Sequence, residues 1–279
     1  MRLVQGKPFL LAGLMVFAAS ASGVLRAQGG FAGQARPAAA EQLFALANQS
    51  RAQAGLGALT WDASLAQAAM RHCQRMAGEG EISHRYGGEA DLSERSAAAG
   101  AHFSRIEENI AVGSRAEQIH EGWMNSPGHR ANLLNAQIDR VGIAVVSAQG
   151  VLFAVADYSE AVPVLTAAQV ESRVADLIAM SGVKVRQDPH DARLACPLDH
   201  GLPGGLNGGE PGFIMRWQGP DLGHLPQGLV NKLASGEYMQ ADVGACPAEG
   251  EQGSFTVYRV AVLLYPTSAV LRPYYHPEH

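Results

Sequence analysis

Cysteine, charge and long apolar runs are all scarce in this chain, and each scarcity narrows what it can be. Only 17% of its 279 residues are charged, against 47% hydrophobic. With a mean hydropathy of −0.03, that balance describes an ordinary globular protein and argues against multiple membrane spans or wholesale disorder. What charge there is sums to −5, and no basic stripe exists, so nucleic acid and anionic membrane surfaces are poor partners. The sequence has no G-x-S-x-G nucleophile elbow. Its glycine-rich stretch, GLPGGLNGGEPG (201–212), is not followed by the Lys-Ser/Thr of a phosphate cradle, so it reads as a loop.

The longest uncharged run, Phe9 to Leu25, follows Arg2 and Lys7 and ends in small residues. That is the pattern of a signal peptide, with cleavage expected between Ala21 and Ala27. The run falls short of the roughly 20 apolar residues of a spanning helix, and Gly, Ala and Ser fill its second half. There is no cysteine at the junction to carry a lipoprotein anchor. Cleavage after Ala27 leaves 18 basic against 26 acidic side chains, a net −8. Export, to the periplasm or the medium, makes disulfides permissible. Three cysteines allow one pair and one leftover. Cys73 lies on the apolar face of a helical pattern, where a free buried thiol is the usual occupant. Cys196 and Cys246 each precede a proline in loop-like surroundings and are the expected pair, closing a loop of about 50 residues.

The periodicity divides the chain into a signal (1–27), a small-residue linker (28–40), an N-terminal domain (41–162) and a small α+β domain of unknown role (163–279). In the N-terminal domain, helices are expected from Glu41 to Gly55, from Asp62 as N-cap through Met76, around Leu92 to Ala99, and from Arg115 to Asn125 before Pro127. A strand is expected near Ile106 to Val112, and RVGIAVVSAQGVLFAVADYS reads as a hairpin turning at AQG. The economical architecture is a sheet sandwiched between helical layers. Thr166 and Gln169 form a capping box for the first helix of the C-terminal domain, whose remainder reads as strand, short helix and hairpin. That order loosely echoes the N-terminal domain. EGWMNSPGHRANLLNAQIDRVGIAV with VLFAVADY and QGLVNKLASGEYMQADVGAC with FTVYRVAVLLY share a helix, a Val-Gly pair and a closing hairpin, although the second copy lacks every histidine and glutamate of interest.

Several stretches occur in a characteristic order: NQSRAQAGLGALTWDASLAQAA, ISH (82–84), AAAG (97–100), ENIAVG (108–113), WMNSPGHRANLLN (123–135) and VGIAVV (141–146). Through them, residues Glu41 to Tyr158 resemble the CAP superfamily, also called the SCP domain, in its bacterial exported branch. The resemblance implies an α-β-α sandwich with a cleft whose floor carries two histidines and two acidic residues. Carried over, His84 and His129 take the histidine positions and Glu108, directly before Asn109, takes one acidic position. Glu107 stands where the family usually has glycine. Where animal and plant members have a glutamate, three residues after the helix tryptophan, this chain has Ser126. The 117 residues from Pro163 onward lie outside the resemblance.

Two imidazoles and a carboxylate are a zinc set with an open position; the alternative is that His84, His129 and Glu108 organise a polar floor by hydrogen bonding alone. The resemblance implies an extracytoplasmic protein binding a lipid, peptide or envelope component. Against it stands a secreted metal-dependent or serine-type hydrolase, with Ser126 a poor candidate nucleophile beside its proline turn. Of the remaining candidates, His72 reads as structural, His102 and His120 as solvent-facing or capping, Trp61 and Trp123 as core anchors, and Arg130 and Asn132 as ties for the loop around His129. The terminal HPEH has no partner histidines nearby.

Overall fold

The computed structural model describes residues 38–247 and 255–266. The expected signal segment, most of the expected linker and the HPEH tail lie outside them. The first helix, α1 (Ala38–Gln53), starts inside the stretch read as linker, because Ala40 is already buried against the domain core. Gly55, at φ 73°, ends its C-terminal turn. Near the end of α1, Arg51 is 2% exposed and donates to the carbonyls of Gly57, Leu133, Asn135 and Ile138 at 2.8–3.1 Å. One buried guanidinium thereby satisfies four carbonyls and fastens the region after His129 to α1.

Strand β1 (Thr60–Trp61) is too short to have shown in the sequence pattern. Helix α2 (Ala63–Glu79) follows, N-capped by Asp62, which accepts from the Leu65 amide at 2.9 Å, and stopped by left-handed Gly80. Helix α3 (Leu92–Ala98) begins with an Asp91/Glu94 capping box. Strand β2 (Phe103–Gly113) leads to α4 (Ala116–Asn125). The segment after α4, read from sequence as a loop, is instead a helix, α5 (Pro127–Leu133). Proline at its first position supplies the φ a helix needs and loses no hydrogen bond there. Strands β3 (Arg140–Ala148) and β4 (Val151–Ala161) form the expected hairpin. Both of its turn residues, Gln149 and Gly150, have positive φ, as the right-handed twist of a two-residue hairpin demands.

The sheet order is β1-β3-β4-β2, with β1 parallel to β3 and the rest antiparallel. Side-chain alternation makes the sandwich. Val141, Ile143, Val145, Ala154, Ala156 and Tyr158 pack on α1, α4 and α5, while Ala144, Phe153 and Val155 pack on α2. Gly142 lets α2 approach the sheet closely: a Cβ there would lie 2.0 Å from the Ala66 nitrogen.

The second half opens with α6 (Ala167–Ala179) on its Thr166/Gln169 capping box. It continues through β5 (Lys184–Val185), α7 (His190–Ala195), β6 (Phe213–Gly219), α8 (Gln227–Ala234), β7 (Tyr238–Cys246) and β8 (Tyr258–Pro266). Its sheet runs β5-β7-β8-β6, with the same single parallel pair at the same edge. Helices α6 and α8 cover one face and α7 the other. A strand glycine again admits a helix backbone, since a Cβ on Gly244 would lie 2.3 Å from the Ala192 carbonyl carbon and the Arg193 nitrogen. The echo seen in the sequence is therefore a repeated frame. Cys196 and Cys246 are disulfide-bonded as expected, and Cys73 is a free buried thiol. The glycine-rich loop is tied down by Asp191, which accepts from the amides of Asn207 and Gly208 at 2.8 Å and from the Tyr265 hydroxyl at 2.9 Å. Burial opposes ionisation of this carboxyl, but the hydrogen bonds prevail and hold its pKa at about 2.

Candidate functional site

The chemistry gathers at the edge strand β2, where both helical layers wrap around the sheet. Glu108 points to the α2 side and is 7% exposed. Its Oε1 accepts from His84 Nδ1 at 2.7 Å, and its Oε2 is bound by the Arg95 guanidinium from α3. Arg95 also donates through Nη1 to the His84 carbonyl at 3.3 Å, so one side chain anchors both the carboxylate and the loop that carries His84. Behind Glu108 lies fully buried His72. It contacts Glu89 at 2.7 Å through Nδ1 and the Ser83 carbonyl at 2.9 Å through Nε2, which also lies 3.9 Å from Glu108 Oε2.

The second histidine comes from the other layer. His129 sits in the first turn of α5, and its carbonyl accepts from Asn109 Nδ2 at 2.9 Å. Asn132 donates to the Glu108 carbonyl at 3.1 Å and to Asn109 Oδ1 at 3.0 Å, which ties α5 to β2 as expected for this residue. The adjacent acid, Glu107, belongs to the opposite face and accepts from Asn135 Nδ2 at 2.7 Å. The alternation of β2 thus decides between the two glutamates in favour of Glu108.

Charge follows geometry. The Glu108 hydrogen bond raises the His84 pKa above its ordinary 6.5, outweighing the burial that would lower it. Burial lowers the His129 pKa, and the charge of His84 lowers it further. Burial opposes ionisation of Glu108, but His84, Arg95 and His72 together bring its pKa below the ordinary 4.5. Opposite Glu108 in the β2–β4 ladder stands Asp157, fully buried. Burial first, and then the Glu108 charge, push its carboxyl well above the usual range.

Of the residues that the sequence brought forward, His84 and Glu108 are hydrogen-bonded, Asn109 holds the His129 carbonyl, and the His129 ring is within electrostatic reach of His84. The sequence missed Arg95, Asp157 and Glu89, while His72, read as structural, is buried with both ring nitrogens engaged. The available signal for Asp157 was a lone acid within the apolar run VLFAVADY. Ser126 falls between α4 and α5, half-buried, and its side chain makes no capping hydrogen bond. His120, read as solvent-facing or capping, is instead buried between α1 and α4. Its Nε2 bonds the Ser50 hydroxyl at 2.8 Å, and the hydrophobic face of α4 carries it inward along with Ile119 and Trp123.

A zinc set of His84, His129 and Glu108 requires a free carboxylate oxygen, and both oxygens of Glu108 are engaged within the protein, one of them by a cation. Among the described residues no group of three or more His, Cys, Asp or Glu side chains is arranged to hold a metal ion. The three residues do not fit zinc as a three-ligand set.

Comparison with known proteins agrees with this geometry. Residues 44–158 match the cysteine-rich secretory protein family, CAP. Two Bacillus subtilis (strain 168) proteins are similar over this region. The uncharacterized membrane protein YlbC is 34% identical over 109 residues, covering 38% of this chain and 31% of the relative. The uncharacterized protein YkwD is 31% identical over 110 residues, covering 38% and 42%. The chain thus spans less than half the length of either curated relative. Among solved structures, an extracellular protein containing an SCP domain from Bacillus anthracis str. Ames is 32% identical, with a TM-score of 0.40 over 43% of this chain and 39% of that one. The match to the cysteine-rich secretory protein family thus falls on residues 44–158, the stretch that forms the first sheet and its helices.

Proposed function

We propose that this is an exported binding protein whose N-terminal sandwich holds a lipid, peptide or envelope component by a polar acceptor group at the His84/His129 floor. The observation that carries this reading is the setting of His84. Its Nδ1 is fixed on buried Glu108 while its side chain remains 60% exposed, so Nε2 is left to meet a ligand from a fixed direction. The raised pKa favours the protonated ring, which presents an N–H donor to that ligand. The signal-like run from Phe9 to Leu25 supports the export part of this reading.

A serine hydrolase finds less support. No serine hydroxyl bonds His84 or His129 among the described residues. The Ser50–His120 contact lies between packed helices, and among the described residues His120 Nδ1 has no partner that could orient the ring. Native mass spectrometry on protein purified from its own envelope fraction tests the binding reading. A co-purifying small molecule should be present in the wild type and lost from His84→Ala/His129→Ala. Retention of the same molecule by the folded double variant would place the binding site elsewhere.

A further inference from the structure

We infer that Arg95 fixes the ligand class of this cleft: its guanidinium holds the inner oxygen of Glu108 where a divalent cation would otherwise bind, leaving two imidazoles and no carboxylate for a ligand. The inference deepens the binding reading above and rests on the same cleft.

The Asp91/Glu94 capping box fixes the first turn of α3, and Arg95 is the next residue, 6% exposed and aimed at β2. Glu108 is the carboxylate it meets. Asp157, opposite Glu108 in the ladder, makes no hydrogen bond to the guanidinium among the described residues. Arg95 Nε has no acceptor among the described residues, which makes the Glu108 contact and the bond to the His84 carbonyl the whole of its anchorage. A free carboxylate beside two imidazoles is an oxygen–nitrogen set that zinc takes readily. With a guanidinium already bound, the carboxylate charge is compensated, and an approaching cation meets a like charge in a partly desolvated site. The same cation leaves the floor receptive to a neutral or anionic acceptor. Arg95 thus acts as a positioning and selecting residue: it holds Glu108, Glu108 holds His84, and the carboxylate is withheld from a metal ion.

Zinc binding to the full chain, read by competition with a chromophoric chelator, tests this without any natural ligand, so its failure is distinguishable from failure of the binding reading. Wild-type protein should bind zinc weakly. Arg95→Met should tighten binding by about tenfold or more, the scale on which one added ligand or its support acts, and adding Glu108→Gln to that variant should abolish the gain. Two results would overturn the inference: a folded Arg95→Met protein, judged by circular dichroism, with no gain, or a gain that survives Glu108→Gln. If Arg95→Met does not fold, Arg95→Gln, which removes the charge and keeps a hydrogen-bond donor, is read by the same two criteria.

Discussion

The two halves of the described chain wind the same frame, and only the first carries a histidine–carboxylate floor. Position by position, the contrast is sharp at the strand glycines. Gly142 opposes Asp157, which opposes Glu108 on the edge strand. Gly244 opposes Ala261, which opposes Arg216 on the corresponding edge strand. Arg216 serves structure, donating to the carbonyls of Ala195 at 2.7 Å and Gly201 at 2.6 Å. The second half also has no counterpart of α3 or α5, and the loop that follows its α7 is closed by a disulfide and a glycine-rich segment. The site is therefore a set of additions to the frame: α3 brings Arg95, the loop after α2 brings His84 and Glu89, and α5 brings His129. What repeats is the packing. What differs is the chemistry hung on one edge strand.

Three tests would break or sharpen that contrast. The largest effect is expected from the element found only in the second half. Replacing Cys196 and Cys246 by alanine should destabilise the protein by about 3–4 kcal/mol, because the bridge closes a loop spanning 50 residues of sequence. Denaturation monitored with and without the bridge should show the loss in the unfolding of β6 to β8, with the first half little changed. Equal losses in both halves, read by hydrogen exchange, would mean that they unfold as one unit. Next come the glycines. Gly142→Ala and Gly244→Ala should each cost about 2–3 kcal/mol, since a methyl group at either position meets helix backbone that cannot move aside. A cost confined to one of them would show that the helix–strand approach is not shared. The third and smallest effect lies in the titration of the floor.

How much of this was legible in the sequence depends on how local each cause is. The AQG turn, the Asp62 cap, the Thr166/Gln169 box and the apolar stripe that buries Cys73 all announce themselves within a few residues, and all are present. The disulfide was readable because the third cysteine lies on a helix face. By contrast, α5 is a single short helix whose anchorage comes from Arg51, far upstream, and β1 pairs only two residues. The site itself was half legible. His84, Glu108 and His129 lie in recognisable stretches, but Arg95, Glu89 and Asp157 join them through strand register and helix placement, which no spacing along the chain encodes. His120 was misread because one buried hydrogen bond to Ser50 outweighs the usual preference of histidine for the surface.

The central claim is that buried Glu108 orients and charges His84 in a floor shared with His129. The sign of each contribution follows from the shifts. The raised pKa of His84 means that its contribution to stability is full below its ordinary 6.5 and is lost as the pH rises through the folded-state value. The lowered pKa of Glu108 means that its contribution is present above its ordinary 4.5 and is lost as the pH falls through the folded-state value. The pair is thus strongest at mildly acidic pH. Titration of the imidazole resonances by nuclear magnetic resonance tests this most directly. His84 should titrate above 6.5 and His129 below it, and Glu108→Gln should bring His84 down toward His129. Two histidines titrating together near 6.5, with no response to Glu108→Gln, would contradict the account.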